Sequence, residues 1–92
     1  MTAVLDGHWN VRRTGGLLPP LIGVGKTIDG DHGHTTLGPL RVPFRVEGLT
    51  LRYTGPLSVF EDRLEPAGTG FQGRSYLGGM ELGRFELRRP SP

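Results

Sequence analysis

Three short segments of this chain carry residue types that could do chemistry. Gly23–Thr27, GVGKT, resembles the end of a phosphate-binding loop, in which backbone amides cradle phosphates and the lysine reaches the outer ones. That motif requires a glycine five residues before Gly25, where this chain has Pro20, and a helix afterwards, where it continues IDGDHGH. The segment therefore reads as a glycine-bearing strand with Lys26 near its end. Asp29–His34, DGDHGH, gathers carboxylates and imidazoles, the ligands of zinc and related metals. In an extended chain His32 and His34 share a face, and His8 could approach from the first strand. Asp-Gly and His-Gly are equally ordinary turn chemistry, however. A calcium loop of the EF-hand kind would need a closing Glu where Leu40 stands. A turn without metal is expected; were a metal held there, His8, Asp31, His32 and His34 would be its ligands. Glu61-Asp62 is an adjacent acidic pair. Strand neighbours point to opposite faces, so the two cannot work as acid and base, and solvated carboxylates beside Arg63 are expected. Ser58 and Ser75 lack the G-x-S-x-G context of a nucleophile elbow. No catalytic residue and no cofactor is assigned.

The elements that would position these groups are short. With 16 glycines and 8 prolines among 92 residues, the longest stretch free of both is Leu57–Glu65, shorter than an average helix of ~11–12 residues. The intervening runs alternate and are rich in Val, Leu, Phe and Arg, the pattern of an all-β sandwich or barrel. In PLRVPFRVEGLTLRYTG, Leu40, Val42, Phe44 and Val46 share one face, and Arg41, Arg45 and Glu47 the other. Leu49, Leu51 and Tyr53 continue the apolar face after Glu47-Gly48, and a two-residue turn there pairs Val46 with Leu49. Pro43 removes a ladder donor and implies an edge or a bulge. FQGRSYLGGMELGRFELRR gives a second hairpin turning at Gly78-Gly79, with Leu77 opposite Met80. Phe85 and Leu87 have the wrong parity for Leu82, and a bulge at Gly83 would reset them. Strands are also expected at Gly7–Arg13, Leu21–Ile28 and His34–Leu37, separated by the loop TGGLLPP and the turn DGDHG, and Gly38-Pro39 reverses or kinks the chain. Residues 57–65 fit a strand flanked by strands, although Leu57, Phe60 and Leu64 are also spaced for a helix and Pro56 suits a helix start. The result is a single domain, residues 1–92, of seven or eight strands in sequential meander. Closing that sheet into a small antiparallel barrel would remove its edges.

Composition narrows the partners. The chain has no cysteine, hence no disulfide, thiol nucleophile or thiolate metal site. Ten arginines and one lysine are interspersed with acids to a net charge of +2, the pattern of a solvated surface rather than a nucleic-acid footprint. Most aromatics fall on the apolar faces instead of among the arginines, against single-strand stacking. The amino terminus, MTAVLDGHW, has neither the basic nor the apolar region of a secretory signal, and no run approaches the ~18 apolar residues of a membrane span. A cytoplasmic protein, without membrane or nucleic-acid partner, is expected.

Gly7-His8-Trp9 opens the first strand, followed by VRR and matched at the far end by GRFELRR. Here the chain resembles the lipocalin-like (calycin) barrels, which begin with a G-x-W strand and end with a strand whose arginine packs across the tryptophan. The resemblance implies that Trp9 plugs one end, with Arg84, Arg88 or Arg89 across it. A chain this short would leave a shallow cup. Its interior candidates are Trp9, Val11, Ile22, Val24, Ile28, Leu40, Val42, Phe44, Val46, Leu49, Leu51, Tyr53, Phe60, Leu64, Phe71, Phe85 and Leu87. Lys26 shares the inward face of Ile22, Val24 and Ile28. An ammonium there must snorkel to the rim, the expected position, or meet an acid across the barrel, Tyr53 or a bound acid. The leading functional expectation is a non-enzymatic binding barrel for a small, mainly apolar or amphipathic ligand. Lys26, Phe44, Leu51, Tyr53 and Phe85 would be its binding residues, Lys26 anchoring an acidic head. The alternatives are a filled structural barrel acting as a homodimer and a small barrel enzyme, a cyclase or isomerase without a motif.

Overall fold

The computed structural model describes residues 5–17 and 23–90. Eight strands, β1 (Gly7–Gly16), β2 (Val24–Asp29), β3 (His32–Leu37), β4 (Leu40–Glu47), β5 (Thr50–Tyr53), β6 (Phe60–Ala67), β7 (Gly70–Leu77) and β8 (Met80–Arg88), follow one another around a closed barrel. Every neighbouring pair is antiparallel, and β1 closes the ring against β8 from Asn10↔Arg88 to Gly16↔Gly83. Among the described residues no helix is long and apolar enough to cross a membrane.

The hairpins share one local device. Five of them turn on two residues, and each places a glycine with φ near +60° first: Gly30, Gly38, Gly48, Gly68 and Gly78. A glycine at the first central position suits the turns whose twist matches that of paired strands. This corrects the β4–β5 register. The turn is Gly48-Leu49, so Val46 faces Leu51 rather than Leu49. A two-residue slip leaves every side chain on its expected face, which is why alternation alone could not detect it. The same rule tightens the β2–β3 turn to Gly30-Asp31 and lets β3 begin at His32. Gly38-Pro39 reverses the chain.

Two irregularities interrupt the barrel's register. Ser75 pairs with Gly83 while Tyr76 pairs with Glu81, so β8 carries one extra residue at Leu82, beside the expected bulge at Gly83. Phe85 and Leu87 are thereby turned into the core. A second register shift between Arg13 and Gly15 lets β1 continue past Arg13 to Gly16. The 57–65 segment divides its two signals. Pro56 opens a single 3-10 turn, Gly55–Leu57, and the chain is strand from Phe60.

The core comprises Leu5, Trp9, Val11, Val24, Ile28, Phe44, Leu51, Leu64, Phe71, Phe85 and Leu87. Leu40, expected inside, is exposed beside its turn, and Leu21 and Ile22 lie outside the described residues. Room for the rings comes from missing side chains across the strands. Gly33 faces Phe44 and Gly73 faces Phe85, and a Cβ at either glycine would collide with the opposite ring. An eight-stranded barrel is just wide enough for such a filling.

One end of the barrel is sealed. Trp9, 2% exposed, packs edge-on against Phe71 at 5.4 Å and donates its indole N–H to the Leu5 carbonyl at 2.8 Å. Of the three candidate arginines it is Arg89 that lies over the indole, 3.7 Å from its ring centroid, while also donating to the Asp6 carbonyl at 2.7 Å. A cation over an indole face contributes about 0.5–2 kcal/mol. Arg89→Ala should therefore lower stability by about that amount and shift Trp9 emission to the red. An unchanged urea midpoint and spectrum would show that the stack does not seal this end.

Candidate functional site

Lys26 lies on β2 between Val24 and Ile28, and strict alternation points all three inward. It does not reach the rim. The residue is 3% exposed, and its Nζ sits 5.4 Å, 5.4 Å and 5.5 Å from the ring centroids of Phe44, Tyr53 and Phe85. The structure supplies the alternative solution, a carboxylate across the barrel. Asp62, on β6, is itself buried, and its Oδ2 lies 3.0 Å from Lys26 Nζ. The expected solvated Asp62 is thus corrected. Its neighbour Glu61 points outward, 2.7 Å from Arg63 and 3.6 Å from Arg52, as opposite strand faces require.

Three hydroxyls complete the group. Lys26 donates to Thr35 Oγ1 at 2.7 Å, across the β2–β3 ladder, and to the Tyr53 hydroxyl at 2.7 Å. Tyr53 donates to Asp62 Oδ2 at 2.8 Å, and Ser75, the cross-strand partner of Asp62, donates to Oδ1 at 2.9 Å. Thr35 and Tyr53 are 2.9 Å apart. The network therefore ties β2 and β3 to β5, β6 and β7 through the interior. Burial alone would lower the Lys26 pKa, but the Asp62 carboxylate and then Tyr53 outweigh it, and the ammonium is held above its ordinary 10.5. Tyr53 is raised above 10.0, first by burial and further by Asp62, against the opposing pull of Lys26.

Above this network the described residues leave the barrel unfilled. A cup of about 280 Å³ is floored by Thr35, Tyr53, Asp62 and Ser75 and walled by Val42, Leu57, Phe60 and Leu82. Among the described residues it opens at the end where β1, β3, β5 and β7 finish, opposite Trp9. A larger groove of about 390 Å³ runs over β6–β8 among Arg63, Arg74 and Arg84. Its charged outer lining lacks the buried, convergent polar groups of the cup, and small-molecule sites are mostly apolar with a few such groups.

The rim of the cup is apolar. All seven exposed large hydrophobic side chains among the described residues, Leu17, Leu37, Leu40, Leu57, Val59, Leu77 and Met80, flank the connections at this end. Leu17 is 86% and Met80 68% exposed. The sealed end instead turns on Gly30-Asp31, Gly48-Leu49 and Gly68-Thr69.

Of the five residues expected to bind a ligand, only Tyr53 lines the cup. Phe44, Leu51 and Phe85 are 2% exposed or less and pack beneath the network, which caps them with Lys26. Thr35, Asp62, Ser75 and Leu82 escaped sequence reasoning. Asp62 and Ser75 do share the inward parity of Leu64 and Phe71, and that parity was the available signal. His8 contacts Thr27 at 3.1 Å and His32 contacts Asp31 at 3.3 Å. Among the described residues no three histidines, cysteines or acids come together as a metal site. No protein family, curated protein or solved structure matches the chain.

Lys26→Met alone leaves Asp62 buried without its cation and should cost about 3–5 kcal/mol, whereas Lys26→Met/Asp62→Leu should recover most of that loss. Equal destabilisation in both variants, by urea unfolding, would contradict the pairing. Both raised groups also set an alkaline limit. The folded state holds protons on Lys26 and Tyr53 that the unfolded chain releases above about pH 10. Stability from this pair is complete below that point and falls as pH rises through the folded pKa values. The double variant should show a shallower alkaline decline.

Proposed function

We propose that the protein is a non-enzymatic binding barrel for a small, mainly apolar ligand. The observation that carries this reading is the cup of about 280 Å³, apolar in its walls and polar only at its floor. The ligand's body would lie against Val42, Phe60 and Leu82, and its polar end would meet Thr35, Asp62 and Ser75. The apolar rim supports the same reading, since it would offer such a ligand a continuous path out of water. The closed meander, with Arg89 stacked on Trp9, supports the resemblance to lipocalin-like barrels, here with a shallow cup. Toluene serves as a minimal apolar probe. It should shift the amide resonances of Val42, Tyr53 and Leu82 but not those of Trp9, and Val42→Phe, which fills the cup, should abolish the response. Resonances around the cup that stay fixed up to toluene saturation would overturn the reading.

A second reading is favoured by the rim itself. Its seven apolar side chains would also suit a homodimer meeting mouth to mouth, each copy covering the other's cup. Sedimentation should then show a concentration-dependent dimer that Leu40→Glu/Met80→Glu converts to monomer. A monomer at all concentrations would remove this reading.

A further inference from the structure

The floor of the cup has a hydrogen-bonding polarity that can be read from its donors. An ammonium carries three donors, and a serine, threonine or tyrosine hydroxyl carries one. Lys26 donates to Thr35 and Tyr53, and its charge is matched by Asp62 Oδ2 at 3.0 Å. The Tyr53 proton goes to Asp62 Oδ2 and that of Ser75 to Oδ1. Because Tyr53 spends its proton on the carboxylate, the 2.9 Å contact between Tyr53 and Thr35 must use the proton of Thr35. Every side-chain donor of the network is thus committed inside it.

The acceptors are not exhausted. Asp62 Oδ2 accepts from Tyr53 and faces the Lys26 ammonium at 3.0 Å, and the Tyr53 oxygen receives both Lys26 and Thr35, so these two atoms are occupied. Asp62 Oδ1 keeps one lone-pair site, Thr35 Oγ1 keeps one, and Ser75 Oγ keeps both of its own. Thr35, Asp62 and Ser75 all line the cup, and Lys26 does not. Among the described residues the cup thus presents acceptors only.

We infer that the ligand carries a hydrogen-bond donor, an alcohol or amine on a small apolar body, and that anionic head groups are excluded. This rests on the binding reading above and replaces the amphipathic acid expected from Lys26 alone. A carboxylate entering the cup would find no free side-chain donor among the described residues. To reach Lys26 it would have to displace Asp62 or one of the hydroxyls, leaving a buried group unpaired, and that asymmetry dominates the energetics of buried polar groups. An alcohol would instead add a bond and disturb none.

Two isomers separate donor recognition from simple apolar burial. 1-Octanol and 1-methoxyheptane have the same atoms, but only the alcohol has an O–H; octanoate at neutral pH supplies the anion. Titration followed by the amide resonances of Thr35, Ser75 and Leu82 should give the alcohol a Kd about two- to tenfold below the ether's, the span expected of one net hydrogen bond. Octanoate should bind at least about tenfold more weakly than the alcohol, since its charge must be buried without a donor. Equal affinity of alcohol and ether, or tightest binding by octanoate, would overturn the inference while leaving a binding barrel. No response to any of the three, with none to toluene, would overturn the binding reading as well.

Discussion

The buried ion pair of Lys26 and Asp62 is the constraint around which this barrel is arranged. Taking two charges out of water costs several kcal/mol per ion, and their attraction offsets this only with good geometry and satisfied remaining bonds. Each requirement is visible in the structure. The charges are 3.0 Å apart, and three hydroxyls from three further strands occupy the remaining directions. Three aromatic rings surround the ammonium. Apolar residues of similar volume could stabilise such a position equally well. What the pair adds is definition, because a strand shifted by two residues would keep its faces yet strand a charge.

The pair also divides the interior into two environments. On one side Phe44, Leu51 and Phe85 pack against the tryptophan-sealed end, and that half is closed. On the other side the network is itself the surface, and nothing among the described residues fills the space above it. The floor is electrically balanced but chemically one-sided, with its protons turned inward and its lone pairs turned out. A charge-based reading of Lys26 would make the site attractive to anions. Counting protons reverses that conclusion, because the charge is already matched where it lies.

Much of the architecture was legible in the chain. Alternation marked the strands, glycines marked the turns, and the parity break between Leu82 and Phe85 disclosed a bulge. The opening Gly7-His8-Trp9 and the closing arginines identified the seal, though three arginines were equivalent until the final strand's register was known. The site was less legible, for a physical reason. Lys26 announced itself because a lone lysine on an apolar face demands a partner. Asp62 did not, because its segment carried both helical and strand spacing and its inward parity was hidden by that ambiguity. The register of β4 and β5 was likewise undetermined, since a slip of two residues leaves the hydrophobic pattern unchanged.

The seam between β1 and β8 sets the order in which such a chain can assemble. Each other pairing joins consecutive strands, most of them across two-residue turns, so those hairpins close cheaply and locally. The seam alone joins residues from nearly opposite ends of the chain, Asn10 to Arg88, and bringing them together costs about 4 kcal/mol of chain entropy if the intervening segment is still disordered. A meander zipped from hairpin to hairpin delivers the last strand to the first with most of that entropy already lost, making closure the final event. Until then the sheet exposes two unpaired edges, the usual template for aggregation. Those edges are studded with charge, Arg12 and Arg13 on β1 and Arg84, Glu86 and Arg88 on β8. In the closed barrel Arg12 and Glu86 become cross-strand partners. The residues that keep the open sheet apart from its neighbours are thus also the ones that recognise each other when it shuts.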